Sequence, residues 1–402
     1  MNQIIQTLLY LGSIQGFLLS IFLFSIKANI VSNRLLGLLT LIWGIIIAAF
    51  ALQEEGMYVR FPHLLKVFDQ LLFVIFPLLY LQVKYLISNY KRFNPKDLIH
   101  FSPWLIIILL NSEFYLSNGE EKFFLLNNMS SYYELLHIAS SEIVAIQGVI
   151  YSILALRLLS NYQYQIKDYQ SNVDKMILKI QYIGISLSLF AWLIGIIGIH
   201  LEFFNINIGV DLFNFVYLTL VLIIYVISYS AIKSPEIYKL DVNQINLGSN
   251  SNPHKPVKGK GKPFVNDVIS EIKNKNVVEE LEDPIIEEIN TNLLSYFEKE
   301  KPYLNPELSL QELADDLDVK RYQLSNIINQ KHQKNFYEFV NQFRVEEVKK
   351  MMIDPQNKHL KLISLAYDAG FNSKASFNRI FKQTTSMTPS QFIIDHQTNS
   401  LV

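Results

Sequence analysis

Residues 361–383 read KLISLAYDAGFNSKASFNRIFKQ, and residues 308–330 read LSLQELADDLDVKRYQLSNIINQ. In the first stretch Ile363, Leu365, Ala366 and Ala369 recur at the spacing of one helical face. Gly370 then offers the left-handed conformation that ends many helices. Ser373 suits the N-cap of a second helix, anchored by Phe377, Ile380 and Phe381. The other stretch repeats the scheme. Leu310, Leu313, Ala314 and Leu317 form a face, Asp318 and Val319 mark a short turn, and Tyr322, Leu324, Ile327 and Ile328 restart the period. Ala314 is small, as the crossing point of two tight helices requires. Both stretches therefore read as helix-turn-helix modules. Between them, FYEFVNQFRVEEVKKMMI (336–353) carries Phe339, Val340, Phe343, Val345, Val348 and Met352, a helix long enough to join the two.

These residues closely resemble the DNA-binding domain of the AraC/XylS family of transcriptional regulators. The resemblance covers roughly residues 301–393. Its most specific piece is Ala366-x-x-x-Gly370-Phe371-x-Ser373-x-x-x-Phe377-x-Arg379-x-Phe381-Lys382, followed by Thr388-Pro389-x-x-Phe392. Leu310-x-x-Leu313-Ala314, Leu324-Ser325 and Asn341-x-x-Arg344 agree as well. The sequence departs from the family pattern at Lys320 (a capping Ser is usual), at Ser386 (Gly) and at Ile393 (Arg). The resemblance implies that the second helix of each pair enters the major groove and reaches base edges with its early residues. For the first module those are Arg321, Tyr322, Ser325 and Asn326; for the second they are Lys374, Ala375, Ser376, Asn378 and Arg379. Arg379 would bond guanine or phosphate, Asn326 and Asn378 adenine, and Lys382 phosphate. Residues 304–402 hold twelve Lys and Arg against eleven Asp and Glu. Phosphate binding thus requires Asp315, Asp316 and Asp318 to stand apart from Arg321, Lys374, Arg379 and Lys382.

Upstream, Asp283-Pro284 is a helix start signal, and Ile285, Ile289, Leu293 and Phe297 follow at helical spacing. That stripe packs on the next domain or on a second copy of the chain. Residues 242–262, VNQINLGSNSNPHKPVKGKGK, lack the apolar content for a core. Lys255, Lys258, Lys260 and Lys262 make a basic cluster there, read as a solvated tether or as a contact to anionic lipid.

Residues 1–233 have a different character. The chain is 50% hydrophobic and 18% charged, where a soluble protein carries roughly a quarter charged residues. The excess sits in seven apolar segments, near 4–26, 35–53, 67–83, 98–115, 138–160, 180–200 and 212–233, each meeting or approaching the length that crosses a bilayer. The fourth has a short clean core, Phe101 to Leu110, with Pro103 inside it and Asn111 and Glu113 after it. With the N-terminus outside, the inner loops carry Lys27, Arg34, Lys84, Lys91, Arg92, Lys96, Arg157, Lys167, Lys175 and Lys179. The outer loops carry only Arg60, Lys66 and Lys122. That asymmetry predicts an outer N-terminus, a cytoplasmic C-terminus and an odd number of spans. Inside or beside the spans, Gln15, Asp69, Gln70, His100, Glu142 and Gln147 are polar. They read either as interhelical hydrogen bonds or as a sensing network, with Asp69, Glu142 and Gln147 the candidates for sensing.

The expected architecture is all-α: a seven-helix transmembrane bundle (1–233), a linker (234–282), a connecting helix (283–300) and a soluble two-module domain (301–402). The expected partners are double-stranded DNA, a lipid bilayer, a signal ligand, a second copy of the chain and RNA polymerase. The expected location is a bacterial cytoplasmic membrane. The chain has no cysteine, which excludes disulfides, thiolate metal sites and cysteine nucleophiles. The eight histidines show no metal-ligand spacing, and no cofactor is implied. Two other readings stay open: a transporter or channel with a regulatory tail, and a membrane enzyme using Glu142, Asp69 or His100.

Overall fold

A computed structural model describes residues 3–27, 29–53, 55–88, 92–128, 130–172, 176–233, 283–357 and 359–399. The linker and its basic cluster lie outside these. The described residues fall into two compact units, one drawn from 3–160 and 176–233, the other from 161–172 and 283–399. Both are helical, and no named strand occurs among the described residues.

The first unit contains α1 (Gln3–Ser25), α2 (Ile30–Gln53), α3 (Met57–Arg60), α4 (Leu72–Leu86), α5 (Ser102–Leu110), α6 (Ser112–Leu116), α7 (Gly119–Asn127), most of α8 (Ser131–Ile166), α9 (Met176–Phe203) and α10 (Leu212–Lys233). Six helical stretches are long and apolar enough to cross a membrane: Gln3–Ser25, Ile30–Gln53, Pro62–Leu86, Ser131–Ile166, Leu178–Phe203 and Leu212–Ile232. The expected fourth span is not one helix. It begins as a 3-10 helix at Pro95–Phe101, continues as the nine-residue α5 and breaks at Asn111 before α6. At about 1.5 Å per residue, α5 rises about 14 Å, about half of a hydrocarbon core. Asn111 turns its side chain back onto the Ile107 carbonyl at 2.9 Å, which marks the break.

Within this unit α1 packs on α2 and α10, α2 on α4, and α9 on α10. Small residues bring α1 and α2 together: Ser13 Oγ donates to the Gly44 carbonyl at 2.8 Å, and a Cβ on Gly16 would lie 3.1 Å from the Thr40 carbonyl. The opposite face of α1 carries Ile4, Leu8, Leu11, Ile14, Leu18 and Ile21, all exposed. A continuous apolar stripe of that length is costly in water and suited to lipid.

The second unit contains α11 (Asp283–Lys299), α12 (Leu310–Asp316), α13 (Arg321–His332), α14 (Phe336–Ile353), α15 (Leu362–Asp368), α16 (Lys374–Thr385) and α17 (Pro389–Asn399). Leu293 and Phe297 of α11 are fully buried beside Leu310, Leu313, Leu324 and Phe339. The α11 stripe therefore packs on its own domain, while Ile285 at its start stays exposed. The joining helix α14 is capped by Asn335, which exchanges hydrogen bonds with Glu338.

Candidate nucleic-acid interface

Each module turns by the same device. In the first, Ser309 caps α12 through a reciprocal bond with Glu312, Asp318 takes a left-handed φ of 52°, and the Val319 N–H closes onto the Ala314 carbonyl at 2.9 Å. In the second, Gly370 takes φ 90° and the Phe371 N–H closes onto the Ala366 carbonyl at 3.0 Å. Ala314 and Ala366 are both fully buried at the helix crossing. Gly370 is required on two counts. Its φ disfavours a side chain, and a Cβ would meet the Tyr303 carbonyl at 2.3 Å and Arg344 Nε at 3.0 Å.

The second helices differ at their starts. Ser373 caps α16, its hydroxyl accepting the Ser376 N–H at 3.1 Å. Lys320 at the start of α13 gives no side-chain cap, and its own N–H is taken instead by Gln323 Oε1 at 3.2 Å. Ser386, which ends α16, has φ 62°, the conformation that glycine adopts most readily and that explains glycine as the usual residue there.

On α16, Lys374, Ala375, Asn378, Arg379 and Lys382 are exposed, backed by the buried Phe377, Ile380 and Phe381. Ser376 is buried at 6% exposure and does not share that surface. On α13, Tyr322 is exposed, whereas Arg321, Ser325 and Asn326 are half-buried. Arg379 Nη2 donates to the Tyr337 hydroxyl at 2.9 Å, so α14 positions it. The Arg321 guanidinium lies 5.1 Å from the centre of the Tyr169 ring. Neither Tyr337 nor Tyr169 was expected from sequence. Tyr337 had a signal, since it lies four residues before Asn341 on the same face of α14.

The acidic residues are spent on scaffolding. Asp316 accepts from the Tyr296 hydroxyl at 2.9 Å, and Asp315 from Gln311 at 2.8 Å. Glu347, nearly buried, pairs with Lys301 at 2.7 Å and accepts from the Tyr303 hydroxyl at 3.2 Å. Burial first, then the Glu347 charge, pushes that hydroxyl up to about 12. Among the described residues no ion pair engages Lys374 or Lys382. The near-neutral domain thus leaves cations on the α16 surface.

Asn341 and Arg344 are buried on α14, and Arg344 holds the unit together. It donates to the Tyr303 carbonyl at 2.7 Å, the Asn305 carbonyl at 2.8 Å and the Ser171 carbonyl at 3.1 Å. Burial pushes it down to about 10, with Tyr337 and Glu307 pulling the other way. It therefore remains a cation at neutral pH.

The three candidate sensing residues are not brought together. Asp69 is 3.6 Å from Lys66 in an exposed turn. Glu142 lies 3.4 Å from His200 Nε2, pairing α8 with α9. Gln147 is buried and donates to the Phe73 carbonyl at 3.2 Å, tying α8 to α4. His100 meets the Tyr151 hydroxyl at 2.8 Å. The last three of these contacts join segments distant in the chain, whereas Asp69 pairs with its near neighbour Lys66.

Residues 313–393 match the family model described as a helix-turn-helix domain. No curated protein and no solved structure matches the chain.

Proposed function

We propose that this chain, whose residues 313–393 are an AraC-type helix-turn-helix domain, is a membrane-anchored transcriptional regulator in which the apolar half senses a signal and controls DNA binding. The observation that carries the reading is the exposed row Lys374, Ala375, Asn378, Arg379 and Lys382 on a recognition helix, seated on buried Phe377, Ile380 and Phe381. Arginine suits a guanine edge, asparagine an adenine edge, and the lysines fix register on phosphates. Six helices long and apolar enough to cross a membrane supply the anchor.

The finer points have separate support. The Lys and Arg asymmetry of the loops favours an outer N-terminus and a cytoplasmic DNA-binding domain, with Pro95–Leu116 crossing despite its break. Sensing within the bundle falls to pairs such as Glu142 with His200, because a carboxylate at membrane depth needs a partner. Genome-wide mapping of DNA bound by the full-length protein tests the central claim. A shared sequence motif among captured fragments, lost in Arg379→Ala, is the expected result. Identical capture by both proteins would remove Arg379 from the interface, and no enrichment would remove the function. A reporter fused after Val402 should report a cytoplasmic position.

A further inference from the structure

We infer that residues 167–172, KDYQSN, are an internal competitor for DNA: docked, they hold Arg321 at the start of the first module's recognition helix, and their release frees it. The inference rests on the DNA-binding reading above and names the regulation of that same surface. The segment is encoded between the long apolar helices α8 and α9, yet it belongs to the compact unit that holds the two modules.

Its docking is specific. The Tyr337 N–H donates to the Lys167 carbonyl at 2.9 Å, and the Leu310 N–H donates to the Tyr169 carbonyl at 3.0 Å. Both donors lie in the first turns of helices, where no carbonyl of the helix can reach them. The Ser171 N–H in turn donates to the Leu308 carbonyl at 3.1 Å, and Gln170 forms an antiparallel bridge with Ser309. The segment thus pairs with the residues entering α12 as a short strand would. Its end is buried, with Ser171 at 1% exposure. Arg344 reaches the Ser171 carbonyl at 3.1 Å and its hydroxyl at 3.0 Å, while Asn341 reaches the same carbonyl at 3.2 Å. The Ser171 hydroxyl in turn donates to the Leu308 carbonyl at 2.7 Å.

Docked in this way, the segment meets the first reading helix directly and reaches the second only through Tyr337 of α14. Tyr169 lays its ring against the Arg321 guanidinium, a cation–π contact on the very group that would otherwise face a base or phosphate. Lys167 Nζ lies 5.8 Å from the Tyr337 ring, and the Tyr337 hydroxyl holds Arg379. The contacts are numerous but none is covalent, and one of them is made by Arg321, a group that DNA would also engage. Docking and DNA binding draw on one arginine. The segment follows Ile166, the last residue of α8, without an intervening residue. A displacement of that helix end therefore acts directly on the latch, which is how a bistable element couples two sites.

The chain has no cysteine, so a single engineered pair can be read cleanly. Residues facing across an antiparallel bridge have Cα atoms about 4.5–5.5 Å apart, within reach of a disulfide. The full-length Gln170→Cys/Ser309→Cys protein in detergent micelles is compared oxidised and reduced. The probe is a duplex selected from a random-sequence pool by the reduced form. The oxidised, locked form should bind at least about fivefold more weakly, the worth of one lost arginine contact. Tyr169→Ala, which leaves every backbone bond of the segment in place, should bind the same duplex about threefold more tightly than the unmodified protein. Equal binding by the two redox forms, or unchanged or weaker binding by Tyr169→Ala, overturns the inference and makes the segment a brace of the fold. If neither the reduced pair nor the unmodified protein selects any duplex, the DNA-binding reading fails, and this inference with it.

Discussion

The two helix-turn-helix modules share a turn and part company after it. Ala314 and Ala366 sit at matching crossings, and Asp318 and Gly370 occupy matching left-handed positions. The first module then starts its recognition helix without a side-chain cap and keeps Arg321 half-covered beside Tyr169. The second caps with Ser373 and exposes Lys374, Asn378, Arg379 and Lys382. The difference teaches that one fold repeated in a single domain need not give two equal readers. If residues 167–172 compete for Arg321 as proposed, the second module is the constitutive reader and the first is conditional on that segment.

The hardest blow to this comparison falls on the turns. Gly370→Ala drives a Cβ into the Tyr303 carbonyl and strains a left-handed residue, and should cost roughly 2–5 kcal/mol. Asp318→Gly at the matching turn should change stability by less than about 1 kcal/mol. Thermal unfolding of the two variants in detergent measures the contrast, and similar losses would show that the turns are equivalent after all. Next is Arg344→Met. It takes the donor from the Tyr303 carbonyl and one donor each from the Asn305 and Ser171 carbonyls, at about 3 kcal/mol. Hydrogen exchange at residues 167–172 should rise with it. Smaller again is the loss of base contacts. Arg379→Ala should weaken binding to the selected duplex by about 1–3 kcal/mol. Arg321→Ala should cost less in the intact chain, and more once Tyr169→Ala has uncovered it. A double-mutant cycle of binding affinities reads that coupling. The smallest effect is at the caps: Ser373→Ala should lose about 1 kcal/mol of stability, and Lys320→Ser should gain a fraction of that.

Much of this was legible in the sequence because it is local. The periodicity of residues 308–330 and 361–383 fixes both pairs of helices, Ser373 caps where expected, and Asp283-Pro284 opens α11. The apolar runs are visible for the same reason, and the fourth fails as a single helix where Asn111 interrupts it. Burial of Ser376 was also readable, since it lies four residues from Ile380 on the anchoring face. Arg344 likewise shares a face with Asn341 and Val348, and only its charge argued for solvent. What sequence could not show is the docking of residues 167–172. Its bonds run to backbone carbonyls and amides, which every residue carries, across separations such as the 173 residues between Ser171 and Arg344. Such pairing leaves no pattern of side-chain types to detect.

The buried handshake of Ser171 with Arg344 also bears on modularity. By composition the stretch 234–282 is the seam at which a designer would exchange one apolar half for another. A chimera cut there would inherit a foreign loop between its fourth and fifth long apolar helices. The grafted reader would then present a cation and two helix ends to a stranger. Interchangeable parts in this architecture would have to carry that hexapeptide with the two modules, although the sequence encodes it between two long apolar helices.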